Sequence, residues 1–267
     1  MTPNKDELNE LLEFAVQLAR GAGDMTLKYF RRRPETSTKA DGSYVTIADR
    51  EAESYLRSQI AERFPDDGVL GEEEGEHKGS SGRRWIVDPI DGTFAFVHGV
   101  PFYGVLIALE VDGNPVVGVV NIPALNEMVS AANGCGCFLN GELARVSSTK
   151  RLEDALLLAT NFRTCAQYGF GRAAELLQAR ARSSRTWGDC YGYVLVATGR
   201  ADVMLDPVMN LWDCAPLLPI MEEAGGTFSD WRGVRTINGG NSIATNGVLF
   251  DEVMSLVQNN DADHSGN

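Results

Sequence analysis

The chain has 267 residues, of which 43% are hydrophobic and 23% charged, a composition typical of a globular protein that folds around its own core rather than of a disordered or fibrous chain. The formal net charge is -13 and the basic residues cluster only at Arg31-Arg32-Arg33, so we expect no nucleic-acid partner. The polar start of the chain lacks the continuous apolar core of a signal peptide or membrane helix, so we expect no membrane partner and a cytoplasmic location.

Two helices are predicted near the start of the chain. Apolar residues recur at helical spacing from Leu8 to Phe30, and the pattern returns from Ala48 to Phe64 before Pro65 ends it. A polar loop that holds Asp41-Gly42 separates the two runs.

Strands dominate the next part of the chain. Trp85-Ile86-Val87 is a short apolar run that stops at Asp88, and the runs from Tyr103 to Val111 and from Pro115 to Ile122 flank the turn Asp112-Gly113-Asn114, which indicates a hairpin. The remaining predictions are strands at Glu127 to Ala132, Ala155 to Thr160 and Ala201 to Leu205, and helices at Tyr191 to Thr198 and Trp212 to Ala224.

The order of elements is mixed α and β, with no internal repeat and no long linker. We therefore predict one domain over residues 1-267, with a seam near residue 148 between subdomains of about 1-148 and 149-258, and a polar tail at 259-267. Five cysteines lack the spacing of a zinc site, and we expect them to be reduced structural thiols. They are Cys135, Cys137, Cys165, Cys190 and Cys214.

The segment Asp88-Pro89-Ile90-Asp91-Gly92-Thr93 carries the chemistry. It follows an apolar strand, and its two carboxylates can face one point, while Gly92 allows a sharp turn into a short helix from Thr93 whose free N–H groups would face an anion. A bare pair of aspartates this close is more often a capped turn. The length of the string and its position after a strand favour adjoining metal and phosphate sites.

With three other motifs in the same order, this segment resembles the inositol monophosphatase family of metal-dependent phosphatases, from the first helix to about Asn246. The other motifs are Val45-Thr46-Ile47-Ala48-Asp49, Gly71-Glu72-Glu73, and Leu211-Trp212-Asp213 with Glu222-Glu223-Ala224-Gly225-Gly226. The resemblance implies an α/β (mixed α+β) fold, a layered α/β/α/β/α sandwich of the sugar-phosphatase superfamily with the site between two subdomains. It also implies a homodimer.

The resemblance implies two or three Mg²⁺ ions per active site. One would be held by Glu72, Asp88 and the Ile90 carbonyl, a second by Asp88, Asp91 and Asp213, and a third, weaker ion would lie near Glu72. Oxygen ligands of this kind suit a hard cation. Independently, two carboxylates about 4 Å apart repel by roughly 4 kcal/mol at an effective dielectric near 20, so a converging set needs cations to stay ionised.

The resemblance further implies that Asp49 and Thr93 position and deprotonate the attacking water near Glu72, and that the Gly92 and Thr93 amides hold the phosphate against Asp91 and Asp213. An alternative for Asp49 is that it caps the second helix ahead of Arg50. We predict that the acidic residues after Glu72 form a solvated loop. They are Glu73, Glu74 and Glu76.

Substrate preference is predicted from the loop Gly188-Asp189-Cys190 and from Asp206, which by resemblance face the leaving group. Two extra carboxylates suit a leaving group with an ammonium and an imidazole, and the surrounding pattern resembles the histidinol-phosphatase branch. We therefore predict hydrolysis of histidinol phosphate, a small phosphomonoester. The alternatives are that Asp189 only caps the helix from Tyr191, that the substrate is inositol 1-phosphate or a sugar phosphate, or that the chain is a non-catalytic partner-binding protein on this scaffold.

Overall fold

The computed structural model describes residues 3–39 and 42–258. The predicted tail at 259-267 and Asp41 of the predicted loop lie outside these residues. No helix in the two described ranges is long and apolar enough to cross a membrane. The α-helices are α1 (Lys5–Leu27), α2 (Ile47–Arg63), α3 (Thr93–Val97), α4 (Phe162–Gln167), α5 (Gly171–Arg180), α6 (Asp189–Ala197), α7 (Leu211–Glu223) and α8 (Phe250–Gln258).

The strands fall into three sheets. A hairpin pairs β1 (Thr36–Thr38) with β2 (Tyr44–Thr46). An eight-stranded sheet contains β3 (Gly68–Gly71), β4 (Gly75–His77), β5 (Arg83–Asp91), β6 (Gly104–Val111), β7 (Asn114–Ile122), β8 (Glu127–Ala132), β9 (Gly136–Leu139) and β10 (Glu142–Leu143). A five-stranded sheet contains β11 (Leu156–Ala159), β12 (Ser183–Arg185), β13 (Val203–Asp206), β14 (Thr227–Ser229) and β15 (Ser242–Thr245).

The elements stack in five layers, as the predicted sandwich requires. Helices α1 and α2 cover one face of the eight-stranded sheet, whose order is β10-β9-β8-β7-β6-β5-β3-β4. Helices α6 and α7 lie between this sheet and the five-stranded sheet, whose order is β12-β11-β13-β15-β14. Helices α5 and α8 cover the outer face of the second sheet. The predicted α/β/α/β/α fold is confirmed.

The two opening helices lie close to their predicted positions. The helix α1 starts three residues early, because the Asn4 side chain accepts hydrogen bonds from the Asp6 and Glu7 amides and caps it. Its apolar stripe, which includes Leu11 and Leu18, is buried against the sheet.

The strand β5 is longer than predicted. It continues through Asp88 to Asp91, with a register shift against β6 between those two residues. The Pro89 nitrogen cannot donate to the ladder, and the Ile90 amide donates to Asp88 Oδ1 at 2.9 Å instead. The sequence places a turn after Val87 because proline and aspartate usually end strands. Both carboxylates therefore lie on the irregular end of an interior strand of the sheet.

The predicted hairpin β6–β7 and the strand β8 are confirmed. The backbones of β7 and α7 approach each other closely. A Cβ built on Gly118 would lie 2.1 Å from the Pro216 carbonyl oxygen. This contact requires glycine and sets how closely α7 packs on the sheet. The free-thiol prediction is also confirmed, since all five cysteines are unpaired and only Cys135 is not buried.

Candidate active site

Three carboxylates from two different layers converge at one point. Asp88 and Asp91 come from the end of β5, and Asp213 comes from the first turn of α7. Each offers an oxygen, and these oxygens all lie within 4.8 Å of one another. Such a cluster can hold a metal ion, and its oxygen-only donor set fits a hard cation.

Main-chain amides fix the cluster's orientation. Asp91 Oδ2 accepts from the Cys190 amide at 2.5 Å, and Asp213 Oδ2 accepts from the Asn210 amide at 2.7 Å in a capping box at the start of α7. The bond to Asp91 comes from α6, so the second half of the chain orients a carboxylate of the first sheet, whereas Asp213 is held by the loop before its own helix.

The electrostatics of the cluster favour a bound cation. Burial raises the pKa of Asp88 well above its usual value, and the charges of Glu72 and Asp91 raise it further. Burial, followed by the charge of Asp91, likewise raises the pKa of Asp213. Burial also raises the pKa of Asp91, against the hydrogen bond from Cys190. A divalent cation would remove this penalty by pairing with the ionised forms.

Glu72 lies in the same cleft, which has a volume of about 310 Å³ and is also lined by the three aspartates. Its carboxylate forms an ion pair with Lys39, whose Nζ lies 2.6 Å from Glu72 Oε1 and 2.6 Å from Glu73 Oε1. The Glu73 and Glu74 amides donate to the buried carboxylate of Glu53 at 2.7 and 3.0 Å. The expectation of a solvated acidic loop is therefore wrong for Glu73, whose side chain is 9% exposed.

Asp49 is buried in the first turn of α2, where it is the N3 residue of a capping box and not the N-cap. Thr46 is the cap, and Asp49 Oδ2 accepts from the Thr46 amide at 2.7 Å and from its hydroxyl at 2.6 Å. The N-cap alternative for Asp49 is therefore wrong. Its Oδ1 is buried without a hydrogen-bond partner among the described residues. Burial raises the pKa of Asp49 to about 6, against the hydrogen bonds from Thr46.

Thr93 begins the short helix α3 beside the carboxylates. Its hydroxyl donates to the Ile90 carbonyl at 3.0 Å. Gly92 before it is left-handed, with φ 79°. A Cβ at Gly92 would lie 3.0 Å from the Phe102 carbonyl oxygen and 3.1 Å from Asp189 Oδ2, so only glycine fits this turn. The first N–H groups of α3 follow this turn and have no partner within the helix.

A smaller cavity of about 120 Å³ adjoins the cluster, and both Asp189 and Asp206 line it together with Asp91 and Asp213. Asp189 is the first residue of α6, where its backbone takes φ 48° and its amide donates to Thr160 Oγ1 at 2.7 Å. The cap position belongs to Gly188, and no side chain caps the helix. The alternative that Asp189 only caps α6 is therefore wrong.

Asp206 ends β13 and is 5% exposed. Burial raises its pKa to about 7, against hydrogen bonds that favour the ionised form. Among the donors, the Tyr193 hydroxyl reaches Asp206 Oδ2 at 3.0 Å. The Cys190 thiol is buried, and both the backbone amide and the thiol of Cys190 donate hydrogen bonds to Asp91.

The sequence analysis missed the partners of these residues. Lys39 stands in a hairpin far from Glu72 in the chain, and no local pattern marks it as a contact. Thr160 and Tyr193 stand in predicted elements, but their partners Asp189 and Asp206 are set by tertiary packing.

This fold and its acidic cleft beside a helix start define the chain as a phosphomonoesterase. The model of the Inositol monophosphatase family matches residues 7–262, and the chain belongs to that family.

Curated relatives and solved structures agree. The chain is 44% identical to a histidinol-phosphatase of Chlorobaculum parvum over 254 residues, which cover 94% of this chain and 98% of the relative. It is 41% identical to a histidinol-phosphatase of Mycobacterium tuberculosis, with 91% and 96% covered. Its fold is similar to the structure of a Thermotoga maritima IMPase, with a TM-score of 0.86, 34% identity, and 95% of this chain and 99% of that chain covered.

Proposed function

We propose that this phosphomonoesterase is a Mg²⁺-dependent histidinol-phosphatase of histidine biosynthesis, which converts histidinol phosphate and water to histidinol and phosphate. The observation that carries the substrate assignment is the 120 Å³ cavity, because it places Asp189 and Asp206 beside the carboxylate cluster. The names of the relatives at 44% and 41% identity support the same substrate.

Two or three Mg²⁺ ions are proposed for the larger cleft. The proposed ligands are Glu72, Asp88, the Ile90 carbonyl, Asp91 and Asp213. When bound, Mg²⁺ would lower the pKa of the attacking water and neutralise charge on the phosphoryl oxygens. The Lys39 ammonium lies 2.6 Å from the Glu72 carboxylate and offsets part of its negative charge.

Asp49 and Thr93 are proposed to position and deprotonate the water, with Glu72 beside them. The support comes from Asp49 Oδ1, a buried acceptor that lacks a partner among the described residues. With a pKa of about 6, Asp49 is mostly ionised at neutral pH and can take a proton. The hydroxyl of Thr93 now donates to the Ile90 carbonyl and would rotate to orient the water.

The phosphate is proposed to lie on the Gly92 and Thr93 amides at the start of α3, against Asp91 and Asp213. Backbone N–H groups at a helix start favour an anion, and the turn at Gly92 has no side chain to block it. The attacking water and the leaving oxygen would then lie on opposite sides of the phosphorus, as in-line displacement requires.

The leaving group is proposed to enter the smaller cavity, which Asp189, Cys190 and Asp206 line. Gly188, the other residue predicted for this loop, is the N-cap of α6 and does not line the cavity. Its ammonium and imidazole would donate charge-assisted hydrogen bonds to the two carboxylates. A neutral polyol would gain less from two anions, because it brings no charge to offset their desolvation.

Steady-state kinetics on a panel of esters tests the proposal. We expect kcat/KM for histidinol phosphate to exceed the values for inositol 1-phosphate and fructose 1,6-bisphosphate in the presence of Mg²⁺. A higher kcat/KM for inositol 1-phosphate would overturn the substrate assignment while leaving the phosphomonoesterase class intact.

A sugar or inositol phosphatase is the second candidate. The observation in its favour is 35% identity to a Thermotoga maritima fructose-1,6-bisphosphatase/inositol-1-monophosphatase, over 92% of this chain and 95% of the relative. The Nus factor SuhB of Haemophilus influenzae is 33% identical, but the converging carboxylates of this chain argue against a purely partner-binding role. A homodimer is part of the proposal, and light scattering of the purified protein measures it.

A further inference from the structure

A buried group of hydroxyls lies directly behind Asp206, on the side away from the cleft. Tyr193 on α6 is fully buried, and its hydroxyl donates to Asp206 Oδ2 at 3.0 Å. The same hydroxyl contacts the hydroxyl of Ser242 and lies 3.2 Å from the sulfur of Met209. The Ser242 hydroxyl is also buried, 2.9 Å from that sulfur.

The fold brings these residues together from three elements. Asp206 and Ser242 are directly paired across the antiparallel strands β13 and β15, and α6 lays Tyr193 over the pair. The indole of Trp231 donates to the main-chain oxygen of Asp206 at 2.9 Å. Trp231 and Tyr193, which donate to the backbone and the side chain of Asp206, are buried and do not line the smaller cavity.

The number of hydroxyl protons determines which group donates each hydrogen bond. The Tyr193 hydroxyl has one proton, and an ionised Asp206 can only accept, so that proton goes to Asp206 Oδ2. The tyrosine oxygen then accepts from Ser242, whose one proton completes the chain. Thr160, which lines the cavity, also donates hydrogen bonds to this carboxylate, so Tyr193 and Thr160 together fix its orientation at the cavity wall.

We propose that Tyr193, supported by Ser242, is a positioning residue for substrate selectivity: it holds the Asp206 carboxylate in the orientation that meets the cationic part of the leaving group. This inference rests on the proposed function, since it assigns a role to the support behind Asp206. Tyr193 itself does not touch the substrate.

The role has a kinetic signature that a purely structural role would lack. Without the tyrosine hydroxyl, Asp206 keeps its hydrogen bonds from Thr160 but loses one charge-assisted hydrogen bond and is held less firmly. Only substrates that contact Asp206 should therefore bind less well. The proposed phosphate site lies at the start of α3, and the proposed metal ligands lie just after β3, at the end of β5 and at the start of α7. The Tyr193 hydroxyl contacts Asp206, Ser242 and Met209 instead. The expected change is therefore in KM for one class of substrate.

The test compares Tyr193→Phe and Ser242→Ala with the wild type on histidinol phosphate and on p-nitrophenyl phosphate. For Tyr193→Phe we expect KM for histidinol phosphate to rise about tenfold, the equivalent of one hydrogen bond to a charged group, with kcat changed by less than about twofold. Both constants for p-nitrophenyl phosphate should stay within about twofold. Ser242→Ala should raise KM in the same direction by about threefold.

Tyr191→Phe is the matched control. It removes a hydroxyl from the same helix, while the ring keeps its stacking on Phe102, at 4.8 Å between centroids. It should leave the constants for both esters unchanged. If Tyr193→Phe does not fold, as judged by circular dichroism and gel filtration, Ser242→Ala decides by the same criterion, because it keeps the tyrosine ring in the core.

Asp206→Asn separates the failure of this inference from the failure of the proposed function. If wild type prefers histidinol phosphate and Asp206→Asn loses that preference while Tyr193→Phe and Ser242→Ala keep it, the positioning role is wrong and the proposed function stands. Equal losses by Tyr193→Phe on both esters would also overturn the positioning role. A wild-type enzyme with no preference for histidinol phosphate over inositol 1-phosphate would overturn both the positioning role and the proposed substrate.

Discussion

Asp91→Asn is expected to stabilise the metal-free protein while abolishing Mg²⁺-dependent phosphate release. The substitution removes one negative charge from a cluster whose oxygens lie within 4.8 Å of one another. The asparagine carbonyl can still accept the hydrogen bond that the Cys190 amide gives to Asp91, so the local fold should be kept. A wild-type protein without metal must instead accommodate repulsion or bind protons.

The size of the effect follows from the geometry. At 4.8 Å and an effective dielectric near 20, one pair of carboxylates repels by about 3.5 kcal/mol, and Asp91 faces both Asp88 and Asp213. Protonation relieves part of this repulsion, because the pKa values of all three groups are raised. We expect a net gain of about 1–3 kcal/mol, and for a chain of this size each kcal/mol shifts Tm by about 2–4 °C.

Differential scanning fluorimetry at pH 7.5, with EDTA and with Mg²⁺, measures both parts. The variant should melt above wild type in EDTA, and Mg²⁺ should raise Tm for wild type only. Asp24→Asn is the control, because it removes an exposed carboxylate on α1 far from the cluster. An Asp91→Asn protein that releases phosphate at the wild-type rate, or that Mg²⁺ stabilises as much as wild type, would refute the metal assignment.

Three further outcomes are expected. Asp189→Ala should raise KM for histidinol phosphate about tenfold or more while p-nitrophenyl phosphate stays within about twofold, and equal losses on both would count against the cavity as the leaving-group site. Gly118→Ala should lower the free energy of unfolding, measured in urea, by about 3 kcal/mol or more, because its Cβ would lie 2.1 Å from the Pro216 oxygen. A loss below about 1 kcal/mol would mean that α7 can move away from the sheet. The pKa of Asp206 is raised from 3.8 to about 7, so folding favours the protonated carboxyl. Its contribution to the free energy of unfolding is complete below about pH 4 and is lost as pH rises to 7. In EDTA, the urea midpoint of the wild type should fall over this range, and Asp206→Asn should make that fall smaller.

Most of the larger elements of the fold could be predicted from the periodic spacing of apolar residues. The runs that became α1, α2 and α7 and the hairpin β6–β7 end within three residues of their predicted limits, because burial of one face repeats at a fixed spacing along the chain. The short strands β12, β14 and β15 were not predicted. Each has three or four residues, too few for an alternating pattern to stand out, and their pairing is set by neighbours distant in sequence.

The candidate site divides in a similar way. The convergence of Asp88, Asp91 and Asp213 was anticipated from motifs, each of which is local in sequence. The contacts of the neighbouring carboxylates were not anticipated. Glu73 is an example, because its amide donates to Glu53, a helix residue twenty positions earlier, and its side chain pairs with Lys39. Hydrogen-bond partners of this kind depend on how two elements pack, and one sequence by itself carries little information about such pairs.

The origin of the third carboxylate has a consequence for how the protein is made. Asp88 and Asp91 belong to the first sheet, whereas Asp213 comes from a helix that is synthesised much later and that packs between the two sheets. The three carboxylates can therefore meet only after α7 has been synthesised and has packed on the first sheet.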